Sequence, residues 1–449
     1  MNASNRQPIS GLRPLRLSLS NAPPFDVPAR FIALGGAALI TACILIAVWA
    51  DQLVGPEGWA TPEALGITHL LALGFVTAVM AGVLYQMLPV ILGARPVRPR
   101  GARLTWWCFV VSVAGFSTTL IAGRDDLAPI GGIALAATII GITGHAGMVM
   151  RRATRWNVVA VYIAVALACL DAVAIMGALL AISLHTGMLQ NPLALLAPKI
   201  LLAVGGWLGL VLVGISYQVV PLFNVSKARA RWAVPVLCLL ICGSLLGVVA
   251  LALNLPAPVR VATLTLYVAG AALYAADVIR MVRARGQRAA AVGITPVGQI
   301  AAATVFLVSA IAGLPAVAGV QPWPQVAVTS ALLGWAPLAI SANGARIIPF
   351  LAWTRAGIPG AAPLAADRIP FAAGVGQLAL LAVGWLLLEA GILMRAGACA
   401  RFGAILILVG ALALPLLIRL AVSGRLLHWR SDSATEVMRC AGSSAGRPM

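Results

Sequence analysis

Residues 69–89 read HLLALGFVTAVMAGVLYQMLP, an apolar stretch long enough to cross a lipid bilayer as one helix. Parts of this stretch recur twice further along the chain. The first copy contains Gly74, Phe75, Gly82, Tyr85, Gln86 and Pro89, the second contains Gly206, Trp207, Gly214, Tyr217, Gln218 and Pro221, and a weaker third contains Gly334, Trp335 and Pro349. The copies begin 132 and 128 residues apart, and the first Gly and the Pro are 15 positions apart in each. A repeat of this period predicts three similar structural units.

The apolar composition predicts an all-α, polytopic membrane protein. The 449 residues are 61% hydrophobic and 10% charged, with a mean hydropathy of +1.00. Apolar runs of 18 or more residues indicate transmembrane helices, because a water-soluble domain cannot bury so much apolar surface. Twelve such runs lie at about 31–50, 64–92, 104–122, 129–150, 157–185, 196–224, 233–255, 259–282, 297–319, 326–350, 371–391 and 402–423.

These runs divide the chain into three parts. Residues 1–30 form a polar tail, residues 31–423 a twelve-helix transmembrane domain, and residues 424–449 a disordered polar tail. The repeated stretch is the second helix of each four-helix unit, and the units cover about 31–150, 157–282 and 297–423. Small residues along the second helices allow close helix approach, so we expect these three helices to lie inside a pseudo-threefold bundle.

The distribution of basic residues predicts the orientation. The tails and the loops after even-numbered runs hold 24 Arg and Lys residues, whereas the loops after odd-numbered runs hold four. By the positive-inside rule both termini are cytoplasmic. The net charge of +19 is thus explained by membrane topology, and we expect contact with the lipid bilayer and none with nucleic acid. The chain has 29 Arg, 2 Lys and much Ala and Gly, which is typical of GC-rich bacterial genomes and favours the bacterial inner membrane.

The three units of four helices resemble subunit I of the heme-copper oxidases. In that family helices 2, 6 and 10 carry metal ligands, and the resemblance covers residues 30–423. It depends on the repeat spacing and on the pattern that runs from His69 through Gly74 and Phe75 to Tyr85, Gln86 and Pro89. The chain is most similar to short, divergent oxidase-like membrane proteins of bacteria.

The resemblance implies a reduced set of ligands. His69 matches the histidine of helix 2 that is an axial ligand of the low-spin heme, but helix 10 has no histidine to be its partner. The copper-binding histidines of helices 6 and 7 are also missing, and Leu201 and Thr329 stand at the positions that match His69. We therefore expect no copper and no terminal oxidase activity. Heme at His69 stays open, and the alternative is a histidine satisfied by a backbone carbonyl or water.

Three further residues in the apolar runs are candidates for chemistry. His185 ends the fifth run on the same side of the membrane as His69 and is a second candidate heme contact. Asp171 lies halfway along that run, where a carboxylate is costly, so it is either a proton-relay group or a neutral acid bonded to a backbone carbonyl. Lys199 enters the sixth run, where it either snorkels to the surface or binds an anion such as a heme propionate.

A polar layer is predicted near the cytoplasmic ends of the three inner helices. Its members are Tyr85, Gln86, Tyr217, Gln218, Asn343 and Arg346, and each group is followed by Pro89, Pro221 or Pro349. These side chains either form a ring that binds an anion or quinone, or they clamp the helices together by bonding carbonyls that the prolines leave free.

The sequence leaves three functions open. The first is a heme-binding or oxidase-related accessory protein, and the second is a transporter or channel that uses the threefold cavity. The third is a structural partner of respiratory-chain subunits. Parallel repeats speak against the transporter, because common transporter folds use inverted repeats or two halves.

Overall fold

The computed structural model describes residues 24–228, 230–285, 293–355 and 369–443. Within these ranges twelve helices are long and apolar enough to cross a membrane. They are α1 (Asp26–Val48), α2 (Pro62–Leu92), α3 (Pro99–Ile121), α4 (Ala128–Arg151), α5 (Val158–Thr186), α6 (Pro192–Phe223), α7 (Ala233–Ala252), α8 (Ala257–Arg283), α9 (Ile294–Val317), α10 (Trp323–Pro349), α11 (Phe371–Met394) and α12 (Gly397–Leu420). This confirms the prediction of an all-α, twelve-helix membrane protein.

The helix ends differ from the predicted runs mainly at the two termini. α1 begins at Asp26 rather than at residue 31, because Pro28 falls in its first turn, where proline is tolerated. The backbone of α12 continues as helix to Ser443, whereas a disordered tail was expected from residue 424. Residues 425–441 contain neither Gly nor Pro, so no strong helix breaker ends the helix there. Residues 1–23 and 444–449, where the outer parts of both predicted tails fall, lie outside the described residues.

The three helices that carry the repeated stretch are the most buried. In α2, α6 and α10, 67, 78 and 72% of the most apolar window is buried, compared with 28–56% in the other spanning helices of the described ranges.

The last helix of each unit packs on the first helix of the next, as α4 does on α5, α8 on α9 and α12 on α1. Arg401 of α12 closes this ring near the end of α1, where it donates hydrogen bonds to the Ala47 carbonyl at 3.0 Å and to Asp51 at 2.5 Å.

Each inner helix contains a π-helical segment at the same place. These segments are Leu70–Thr77, Leu202–Gly209 and Ser330–Trp335, and their starts are 132 and 128 residues apart. π-Helical turns are rare, and many occur at functional sites. The three inner helices therefore share the same local backbone conformation at the level where they meet.

Glycine in the inner helices makes room for the first helix of the same unit. A Cβ at Gly74 would lie 2.9 Å from Ala38 of α1, and one at Gly206 would lie 2.8 Å from Cys169 of α5. Deeper in the membrane, a Cβ at Gly214 would lie 2.5 Å from the Cβ of Tyr162, also on α5. The small residues therefore bring the inner helices against α1 and α5 rather than only against each other.

Candidate functional site

A cavity of about 280 Å³ lies among the three inner helices, in the half of the bundle predicted to face outward. Most of its lining is apolar and includes Gly132, Gly177 and the indole of Trp207. The residues with polar or charged side chains that line it are Thr68, His69, Thr77, Lys199, Gln325 and Thr329. The volume is close to the lower end of the range for small-molecule sites, which are mostly apolar with a few placed polar groups.

His69 is held in a fixed orientation in the wall of this cavity. Its Nδ1 lies 2.7 Å from the carbonyl oxygen of Leu65, one turn earlier in α2, and its ring meets the Phe116 ring edge-on at 5.2 Å. A carbonyl accepts only, so Nδ1 carries the proton and the lone pair is on Nε2. The contact with Leu65 is the one hydrogen bond of the His69 ring among the described residues, so Nε2 has no partner there. This Nδ1 bond is expected both of a histidine that is only hydrogen-bonded within the protein and of a histidine that ligates a metal.

Lys199 lines the cavity from the first part of α6. Its side chain lies beside Gly177 of α5, since a Cβ there would be 3.4 Å from Cε and 3.7 Å from Nζ of the lysine. The salt bridges in the described part of the chain all belong to arginines. Lys199 thus brings a positive charge to a mostly apolar cavity without a carboxylate beside it.

Thr329 occupies the α10 position that matches His69 and belongs to a buried cluster around Glu389 of α11. Glu389 Oε1 accepts hydrogen bonds from Thr329 Oγ1 at 2.8 Å, Ser330 Oγ at 2.9 Å and Trp385 Nε1 at 2.9 Å. Oε2 of the same carboxyl is buried without a partner among the described residues. In this unit a carboxyl and two hydroxyls therefore surround the α10 position that matches His69.

A hydrogen bond between two π-helical segments forms part of the floor of the cavity. Trp207 Nε1 donates to Thr77 Oγ1 at 3.0 Å, and Thr77 in turn donates to the Ala72 carbonyl at 2.8 Å. Beyond this level the inner helices pack through buried apolar residues such as Leu84 and Val211. The cavity is therefore closed toward the predicted cytoplasmic side.

No family model matches the chain, and no curated protein matches it in sequence.

The predicted polar layer at the other end of the inner helices is divided into separate pairs. Tyr85 bonds His145 Nδ1 of α4 at 2.7 Å, and Tyr217 packs its ring against Tyr162 and Tyr274 at 5.9 and 5.8 Å. Gln86 is half-buried with an unpartnered Oε1 among the described residues.

A chain of amides crosses this end of the bundle from α6 through α9 to α10. Asn224 donates to Gln299 Oε1 at 2.7 Å, and Gln299 donates to Asn343 Oδ1 at 2.9 Å. Arg346 donates to the Phe223 carbonyl at the end of α6. Asn343 and Arg346 thus link α10 to its neighbours as a clamp, although Arg346 bonds a helix-end carbonyl rather than one that a proline leaves free. The half-buried Gln218 has no side-chain bond within the described ranges.

Sequence reasoning missed Gln299 and Asn224. Each is a single amide near a helix end, and its partners lie 75 or 44 positions away in the chain. A polar residue in an otherwise apolar helix was the only available signal.

Two other candidates lie away from the cavity. His185 is exposed in the last turn of α5. It is not among the residues that line the cavity, so in the described structure it does not face His69. Asp171 is half-buried on α5 and its Oδ1 lies 2.7 Å from Thr143 Oγ1 of α4, which is also 3.0 Å from the Ile140 carbonyl. A bond to a hydroxyl replaces the bond to a backbone carbonyl that was expected of a neutral acid.

The cavity lining offers a heme one protein ligand. His69 offers Nε2, the walls are apolar, and Lys199 offers a cation for a carboxylate. The lining contains no second His, Cys or Met that would make a six-coordinate site. Among the described residues no three His, Cys, Asp or Glu side chains gather where they would hold a metal ion.

Proposed function

We propose that this protein is a heme-binding membrane protein related to the heme-copper oxidases, acting as an oxidase-related accessory protein and not as a terminal oxidase. The observation that carries the proposal is that His69 lines the apolar cavity with its Nδ1 bonded to the Leu65 carbonyl at 2.7 Å and with no hydrogen-bond partner for Nε2 among the described residues. Metal-ligating histidines commonly donate their second ring N–H to a carbonyl or carboxylate, which fixes the tautomer and the ring orientation. Nε2 is then presented to the cavity.

The residues of the cavity have separate roles in this proposal. His69 would hold the iron through Nε2, while Leu65 and Phe116 keep the imidazole in place. The apolar walls exclude water from the macrocycle. When bound, a heme with one protein ligand supplies an open coordination position for a small gas molecule.

The repeat and the basic residues support the rest of the proposal. The three π-helical segments have the same spacing as the sequence repeat, as expected of three related units. The basic loops favour the bacterial inner membrane with cytoplasmic termini, where respiratory-chain subunits are the natural partners. The closed floor at Thr77 and Trp207 weighs against an open channel.

An absorption spectrum of the detergent-purified protein, oxidised and reduced, tests the heme proposal. We expect a Soret band that is lost in His69→Ala and kept in His185→Ala, because His185 is the exposed histidine of the same predicted side. Protein produced with added heme that shows no Soret band, or equal heme content in wild type and His69→Ala, would refute the proposal. Co-purification with oxidase subunits from native membranes tests the accessory role separately.

A further inference from the structure

Lys199 places a basic side chain in the wall of the cavity. The residue belongs to α6, one of the three inner helices, and its side chain lines a cavity whose other walls are largely apolar. The end of its side chain lies beside Gly177 of α5, where an added Cβ would be in ordinary van der Waals contact, 3.4 Å from Cε. The lysine is thus accommodated by its neighbours in the cavity wall.

The charge has no counterion in the described part of the protein. Neither the salt bridges nor the side-chain hydrogen bonds of the described residues include Lys199. The buried carboxyl of Glu389 has three donors on Oε1, all from α10 and α11. A charge in an apolar, membrane-embedded site is costly unless it is paired or solvated, so a bound anion would lower the free energy of this arrangement.

We infer that Lys199 recognises a carboxylate on an otherwise apolar ligand of this cavity. Lysine presents a compact charge that suits a single carboxylate oxygen, while the apolar walls favour the remainder of the ligand. Two sources share this chemistry, namely a porphyrin propionate and a fatty acid from the membrane. The inference rests on the proposed function only in so far as both use the same cavity.

Binding of matched acids and esters by the whole protein in nanodiscs tests the inference. The probes are hemin, hemin dimethyl ester, dodecanoate and methyl dodecanoate, with bound ligand counted by native mass spectrometry. We expect wild type to bind at least one acid about tenfold more tightly than its ester, the size expected of one charge-assisted hydrogen bond. Lys199→Gln should abolish that preference, and Lys199→Arg should largely restore it.

Lys227→Gln is the matched control, because Lys227 is the other lysine of the chain and is exposed at the opposite end of α6. It should keep the preference for the acid. An unchanged acid preference in a folded Lys199→Gln variant, judged by its thermal unfolding midpoint, would overturn the inference, as would a wild type without any preference.

The two proposals fail in different ways. If the Soret band depends on His69 but the acid preference does not depend on Lys199, heme binding stands and the carboxylate site falls. If no heme binds but dodecanoate binds with dependence on Lys199, the carboxylate site stands and the heme proposal falls.

Discussion

Trp207 Nε1 donates a hydrogen bond to Thr77 Oγ1 at 3.0 Å, and this bond joins the π-helical segments of α6 and α2 beneath the cavity. Thr77→Val removes the acceptor and leaves the indole N–H of Trp207 buried and unpaired. We expect the free energy of unfolding to fall by about 1–3 kcal/mol. The thermal unfolding midpoint in detergent measures this, with the exposed Thr118→Val as control. Equal midpoints for the two variants would show that the bond is not important for stability.

Gln299 is the central member of the amide chain between α6 and α10. Gln299→Leu deprives Asn224 of an acceptor and Asn343 of a donor at sites where Asn224 and Gln299 are 0 and 4% exposed. The stability should fall by about 1–3 kcal/mol for each buried group left unpaired. Asn343→Ala removes the acceptor of Gln299 and leaves the Asn224–Gln299 bond in place, so its unfolding midpoint should separate the two bonds. If Gln299→Leu is as stable as the wild type, the chain does not act as a clamp.

Glu389 accepts three hydrogen bonds on one oxygen, which makes the amide and alanine variants informative. Glu389→Gln keeps an acceptor oxygen, so we expect an unfolding midpoint near that of wild type. Glu389→Ala removes the acceptor of Thr329, Ser330 and Trp385 and leaves a cavity, at a cost of about 2–5 kcal/mol. The exposed Glu57→Ala is the control. A large fall in the unfolding midpoint of Glu389→Gln would show that the second carboxyl oxygen also contributes to stability.

Gly214 tests the close packing of an inner helix on the first helix of its unit. Gly214→Ala places a Cβ 2.5 Å from the Cβ of Tyr162, a fully buried residue whose hydroxyl is fixed by a bond to the Ala233 carbonyl. Such overpacking should cost about 1–3 kcal/mol. Gly144→Ala on α4 is the control, because a Cβ there meets nothing within 4 Å, and its midpoint should not fall.

Asp171 and Thr143 should be coupled to each other and independent of the cavity. A double-mutant cycle with Asp171→Ala and Thr143→Val should give a coupling of about 1 kcal/mol, since the two oxygens are 2.7 Å apart. Asp171→Asn should leave ligand binding unchanged, because Asp171 is not part of the cavity lining. A loss of ligand or a pH-dependent change in Asp171→Asn would instead support a proton-relay role.

The fold was largely predictable because membrane burial leaves a strong signal in sequence. Twelve apolar runs predicted twelve helices, and the recurring Gly74, Gly206 and Gly334 marked the three that prove most buried. The candidate site was predictable only in part. His69 and Lys199 were identified as unusual in an apolar run, but no periodicity shows that they line one cavity from two different helices. The pairing of Tyr85 with His145 was missed for the same reason.

Sequence alone determined the helices, their number and their division into inner and outer ones, because a bilayer accepts only apolar segments whose backbone groups are bonded within the helix. Tertiary structure alone decided which polar side chains meet. It left His185 and Asp171 outside the cavity, bonded Tyr85 to His145 and Asn343 to Gln299 where a ring or a clamp had been left open, and placed Glu389 beside Thr329. The physical reason is that contacts between helices depend on rotation and on the depth of each turn, and the π-helical segments change both without altering the apolar pattern.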